Sequence, residues 1–131
     1  MAIVRTRTYS DLDLNFTPHP ITKDIIPRTG DDAVIRSIRN LIMTGFYERP
    51  FHSELGSGVR QHLFENATPL TSQQIKNAIE LVINNFEPRA SIKNVVVQVQ
   101  EDQNAFEVAL EFFITNQALP TTISVFLEKV R

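Results

Sequence analysis

The hydrophobic period of this chain changes once, at Pro88, and that change limits the folds open to it. Before Pro88 the apolar residues recur at helical spacing: Ile75, Ala78, Ile79, Val82 and Phe86 fall on one side of a helix. After Arg89 the period is two. Val95, Val97 and Val99 alternate with Val96, Gln98 and Gln100. Phe106, Val108, Leu110, Phe112 and Ile114 alternate with Glu107, Ala109, Glu111 and Phe113, and Ile123, Val125 and Leu127 close the series. The connections at 101–104 and 116–120 are too short for crossovers, so consecutive strands must pair antiparallel. The expected fold class is therefore α+β. It is a small single domain in which three helices pack on one face of a C-terminal antiparallel β-meander.

The first helix is expected over 31–44. Gly30, Asp31 and Asp32 supply a turn, a cap and acidic residues near its positive end, and Gly45 ends it. Val34, Ile38, Leu41 and Ile42 form its core stripe, and Asp32 stands four residues before Arg36, the favourable order for an ion pair. A short helix is expected over 58–64. Thr71-Ser72-Gln73-Gln74 reads as a capping box opening the third helix, with Leu70 and Ile75 as its hydrophobic staple. Residues 1–30 read as an irregular N-terminal segment, broken by Pro18, Pro20 and Pro27, with one short edge strand over 22–26. The folded domain is then 31–131, and the first segment runs along its surface or reaches toward a neighbour.

Composition narrows the function classes. With 131 residues the chain matches one domain. Without cysteine it has no disulfide, no thiolate zinc site and no cysteine nucleophile. A net charge of −2 gives no electrostatic reason for nucleic acid binding. No apolar run approaches the roughly 18 residues that span a membrane. The first residues have two arginines but no apolar stretch after them, unlike a signal peptide. His19, His52 and His62 lack the i+3 or i+4 spacing of helical metal ligands, so neither metal nor cofactor is expected. Gly56-Ser57-Gly58 lacks the third glycine and the preceding strand of a nucleotide loop. Glu48, Glu54, Glu65 and Glu87 lie near loops or helix ends, but no spacing selects a catalytic pair. Glu54 and Glu65 are the first to replace if a hydrolase is to be tested.

Two features suit assembly instead. Nine arginines stand against four lysines, with nine phenylalanines, a bias found at protein interfaces. Glu87-Pro88-Arg89 forms a proline-fixed corner between the third helix and the first meander strand, with a carboxylate and a guanidinium flanking it. Such a corner can present a bidentate arginine to a partner or can brace the turn internally.

The Arg49-Pro50-Phe51 loop with Gly56, the stretch Leu63-Phe64-Glu65-Asn66 leading into Thr68-Pro69-Leu70-Thr71, and Asn85-Phe86-Glu87-Pro88-Arg89 occur in that order ahead of a valine-rich meander. Together they resemble the gene-25-like (GPW) baseplate wedge family of contractile-tailed phages, related to the wedge subunit of type VI secretion systems. The resemblance implies a structural, non-enzymatic protein of the virion tail baseplate, assembled in the host cytoplasm. It implies a fold similar to the C-terminal domain of the sheath protein and six copies per baseplate. The implied partners are the helical core bundle of other wedge proteins, met through Glu87, Pro88 and Arg89, and the tail sheath protein. A peptidoglycan-degrading, lysozyme-like activity, once ascribed to the family, is the enzymatic alternative.

A sheath template needs an open sheet edge. The last strand, over 121–130, is expected to supply it through Thr121, Ile123, Ser124, Val125 and Leu127, with Glu128, Lys129 and Arg131 as guards. The alternative puts the second strand, 105–115, at the edge.

Overall fold

The computed structural model describes residues 9–115 and 117–128. Two short strands, β1 (Ser10–Leu12) and β2 (Pro27–Thr29), pair antiparallel ahead of helix α1 (Asp31–Met43). Helices α2 (Val59–His62) and α3 (Pro69–Phe86) follow, then strands β3 (Ala90–Gln100), β4 (Ala105–Ile114) and β5 (Thr121–Glu128). The sheet order β3-β4-β5 makes β4 central and β5 an edge, the first of the two placements weighed from sequence.

Period-two patterning sorts the sheet into two faces. Val97, Val108 and Val125 stand side by side across the three strands, as do Val95, Leu110 and Ile123. These inward residues meet Ile75, Ile79, Val82 and Ile83 of α3 and Val34, Ile38 and Ile42 of α1 in one core. Phe106 and Phe112 are its largest members. Ile83 was absent from the stripe read in the sequence, whereas Ala78 and Phe86 are only partly buried.

Several local expectations give way to competing chemistry. The third helix starts at Pro69, and its cap is Thr68, whose Oγ1 accepts from the Thr71 N–H at 3.2 Å. Proline favours the first helical position, where its missing N–H costs nothing. Thr71 is thereby drawn into the helix and donates to the Asn66 carbonyl at 2.6 Å. Leu70 is 68% exposed and makes no staple. Thr68→Ala should therefore lower stability by about 1 kcal/mol, with Thr68→Ser close to wild type, as read by thermal melting.

Residues 22–26 form no strand. Lys23 adopts φ 61°, and the His19 ring accepts the Ile21 and Thr22 N–H groups, closing a turn there. The strand lies instead at Pro27–Thr29. Between β1 and this turn a polar residue takes the inside place: Asp13 is buried, while Leu12, Leu14 and Phe16 are exposed. Burial alone would push the Asp13 carboxyl up, but the Asn15 amide, the Thr17 hydroxyl and Arg28 together hold it below the ordinary aspartate value. Asp32 makes no ion pair with Arg36, which donates to Asn15 instead. Helix α1 ends at Thr44, in extended geometry, rather than on Gly45.

Candidate functional site

The corner that ends α3 is built inward. The Glu87 N–H closes the helix on the Ile83 carbonyl, and its extended φ of −123° turns the carboxylate toward the core, where it is 2% exposed. Arg89 returns to meet it. Its Nε donates to Oε1 at 2.6 Å and its Nη2 to Oε2 at 2.9 Å, the bidentate fork that only arginine supplies. The other side of the same guanidinium donates to Asp11 of β1, at 3.3 Å to Oδ1 and 3.2 Å to Oδ2. The Tyr9 ring lies with its centroid 5.4 Å from the guanidinium carbon. The Arg89 carbonyl accepts both the backbone N–H and the hydroxyl of Thr115, which anchors the corner to the end of β4.

Electrostatics follow from this packing. Burial pushes the Glu87 carboxyl up, but the Arg89 guanidinium and the Ser37 hydroxyl more than offset it, so its pKa lies below the ordinary 4.5. The Arg89 pKa is raised, first by the hydrogen bonds to Glu87. Of the two readings open for this corner, the structure contains the internal contact, while Pro88 alone of the triplet is exposed. Asp11 was not singled out in the sequence. It lies 78 positions from Arg89, with no periodic relation to link them.

The loop after α1 is pinched at its neck. The Ser57 N–H donates to the Thr44 carbonyl at 2.8 Å, and the buried Ser57 hydroxyl donates to the Ile42 carbonyl at 2.7 Å. Gly56 sits in that neck at φ 154°, where an added Cβ would stand 2.5 Å from the Gly45 oxygen. Close backbone approach therefore requires glycine there. The tip carries Arg49, Pro50 and Phe51, all exposed. Phe51 is 100% exposed at φ 67°, a left-handed conformation unusual for an aromatic residue. Glu48 pairs with Arg60 of α2.

The remaining candidates scatter. Glu54 and Glu65 lie on the surface beside His52 and His62, each pair 3.4 Å apart. Among the described residues, every carboxylate whose pKa moves is moved down: Asp13, Glu48, Glu54 and Glu87. A general acid needs the opposite shift. β5 is an edge strand on which Ile123, Val125 and Leu127 point into the core, Thr121 is half-buried and Ser124 is exposed. Lys129 and Arg131, read as guards, lie outside the described residues.

The described residues thus form an open-edged α+β domain with a locked corner. The fold is shared with a solved protein of Geobacter sulfurreducens provisionally named a tail lysozyme (TM-score 0.72, 18% identity, 77% of this chain and 92% of that one). It is also shared with a chain of the anti-feeding prophage baseplate (TM-score 0.66, 24% identity, 95% and 88% covered). A chain of the pyocin R2 baseplate after contraction superposes with a TM-score of 0.64 at 16% identity, covering 82% of this chain and all of that one. The family profile described as baseplate wedge protein gp25 matches residues 28–118. Baseplate wedge protein gp25 of Enterobacteria phage T4 is 34% identical over 97 residues, 73% of each chain. The chain belongs to the baseplate wedge protein gp25 family, whose members are structural proteins of contractile-tail baseplates.

Proposed function

We propose that this subunit seats on a helical bundle of neighbouring wedge proteins and starts the tail sheath, acting without catalysis in six copies per baseplate. The observation that carries the reading is the unbroken outer edge of β5. Eight consecutive residues pair in register with β4 on one side, and no described strand lies on the other. The opposite edge, β3, is a poorer template. Its register shifts between Ile92 and Asn94, and Lys93 stands at the irregularity. A regular, proline-free edge accepts a further strand through its free backbone groups. In this reading the Glu87-Pro88-Arg89 corner and the Arg49–Phe51 loop with Gly56 at its neck face the bundle, and the assembly forms in the host cytoplasm.

The test uses baseplates assembled without this subunit and then supplied with the pure protein. Sheath starts, counted by electron microscopy, should appear only after addition. Sheath growth from depleted baseplates would remove the proposed role. Peptidoglycan turnover by the pure protein, lost in Glu54→Gln or Glu65→Gln, would replace it with the hydrolase that the Geobacter neighbour's name suggests.

A further inference from the structure

We propose that the groove between β1, the second half of α1 and the Arg49 loop holds an acidic, amphipathic segment of a neighbouring wedge protein. The inference rests on the wedge-subunit reading and gives its partner a chemistry. The groove has a volume of about 950 Å³ and reaches from Leu12 and Leu14 to Met43 and Pro50. Its apolar rim is open to water: Leu12 is 68%, Leu14 51% and Met43 55% exposed. Apolar side chains gathered along one groove are the usual mark of a docking surface.

The charges in the groove decide what docks. It is lined by two acids, Asp11 and Glu48, and three arginines, Arg36, Arg49 and Arg89. Both acids are already matched, Asp11 by Arg89 and Glu48 by Arg60 outside the lining. Arg89 is matched twice, by Asp11 and Glu87. That leaves Arg36 and Arg49, neither of which makes an ion pair among the described residues. Arg36 is half-buried, donates one hydrogen bond of 2.9 Å to the neutral Asn15, and has an enclosed Nε with no acceptor. Its acceptor is neutral, so a carboxylate from outside that reached its terminal nitrogens would supply the charge partner it lacks. On a chain of net charge −2, this groove is therefore locally positive. An amphipathic helix with apolar residues toward Leu12, Leu14 and Met43 and glutamates toward Arg36 and Arg49 satisfies both halves of the surface.

The probe is a synthetic 20-residue amphipathic helix with a leucine face flanked by glutamates, and a twin with lysines in their place. By fluorescence anisotropy, the acidic peptide should bind the full chain at least tenfold more tightly than the basic twin. Arg49→Glu, at an exposed site that leaves the fold intact, should weaken it at least tenfold, and Arg36→Gln should weaken it as well. The Arg49→Glu variant should also join subunit-depleted wedges at least tenfold less well than wild type. Equal binding of the two peptides, or unchanged binding by Arg49→Glu, overturns the inference. If the wild-type chain fails to join depleted wedges, the wedge-subunit reading fails, while the peptide titration still decides the chemistry of the groove.

Discussion

Arg89→Ala should destabilise the domain by about 3 kcal/mol, because it strands a buried carboxylate whose guanidinium partner has been removed. Exposed arginines typically contribute under about 0.5 kcal/mol, and a surface role for Arg89 would predict that smaller figure. Geometry decides between them. Glu87 is 2% exposed and receives two hydrogen bonds from the Arg89 side chain, at 2.6 and 2.9 Å. Asp11, by contrast, is only half-buried and its bonds are longer, so Asp11→Ala should cost under about 1 kcal/mol. Arg89→Lys should recover only part of the loss, since an ammonium cannot span both carboxylate oxygens. Urea unfolding at neutral pH measures all three.

The same cluster sets an acid limb. The folded pKa of Glu87 lies below its unfolded value, so the stability it contributes is complete above about pH 4.5 and disappears as pH falls through the folded value. Wild type should therefore lose stability in that window more steeply than Glu87→Gln. Arg89→Ala should show a shifted limb, because burial without the guanidinium pushes the carboxyl up. A wild-type level of stability in Arg89→Ala would show that the corner is free for a partner. Binding to wedge proteins must in any case be compared at temperatures where both variants are folded.

How much of this was legible in the sequence depends on the range of the interaction. The meander was readable because side-chain direction alternates locally: Phe106, Val108, Leu110, Phe112 and Ile114 are all buried, as their spacing required. Helix existence was readable for the same reason. The start of α3 was not, because Thr68 and Thr71 both offer a capping hydroxyl and the intervening Pro69 decides between them. The corner was visible as a triplet, yet its meaning was not. Whether Arg89 faces outward or inward depends on Asp11 and Tyr9, which only the fold brings near. The N-terminal segment shows the same limit: Asp13 holds a buried site through Arg28 and the Asn15 amide while Leu12 and Leu14 stay outside, and nothing local in the sequence sets that choice.

Proline placed on the outward donors of β5 should abolish sheath starts while leaving the domain folded. In an antiparallel ladder the N–H and C=O of one residue point the same way, and those of the next residue point the opposite way. Ser124 and Val125 therefore divide the two directions between them: one donates toward β4 and the other toward the open edge. Ser124→Pro and Val125→Pro form a self-calibrating pair. The inward substitution breaks a ladder bond and should lower stability by about 1–3 kcal/mol. The outward one is tolerated, as proline is on edge strands, but removes a donor that an incoming strand requires. Because Val125 is also a core side chain, Val125→Pro is compared with Val125→Ala, which loses the packing but keeps the donor; thermal melting of the three then identifies the outward position. The stable variant, incorporated into baseplates at the wild-type level, should then give at least tenfold fewer sheath starts. The edge itself is what such a strand would otherwise use for indiscriminate pairing, and the exposed Glu128 at its end opposes that without blocking the centre. Normal sheath growth from baseplates carrying the stable variant would rule out templating through this part of β5. The template would then have to be sought on the outer edge of β3, where the irregularity at Ile92 and Asn94 limits an incoming strand to the regular stretch that follows.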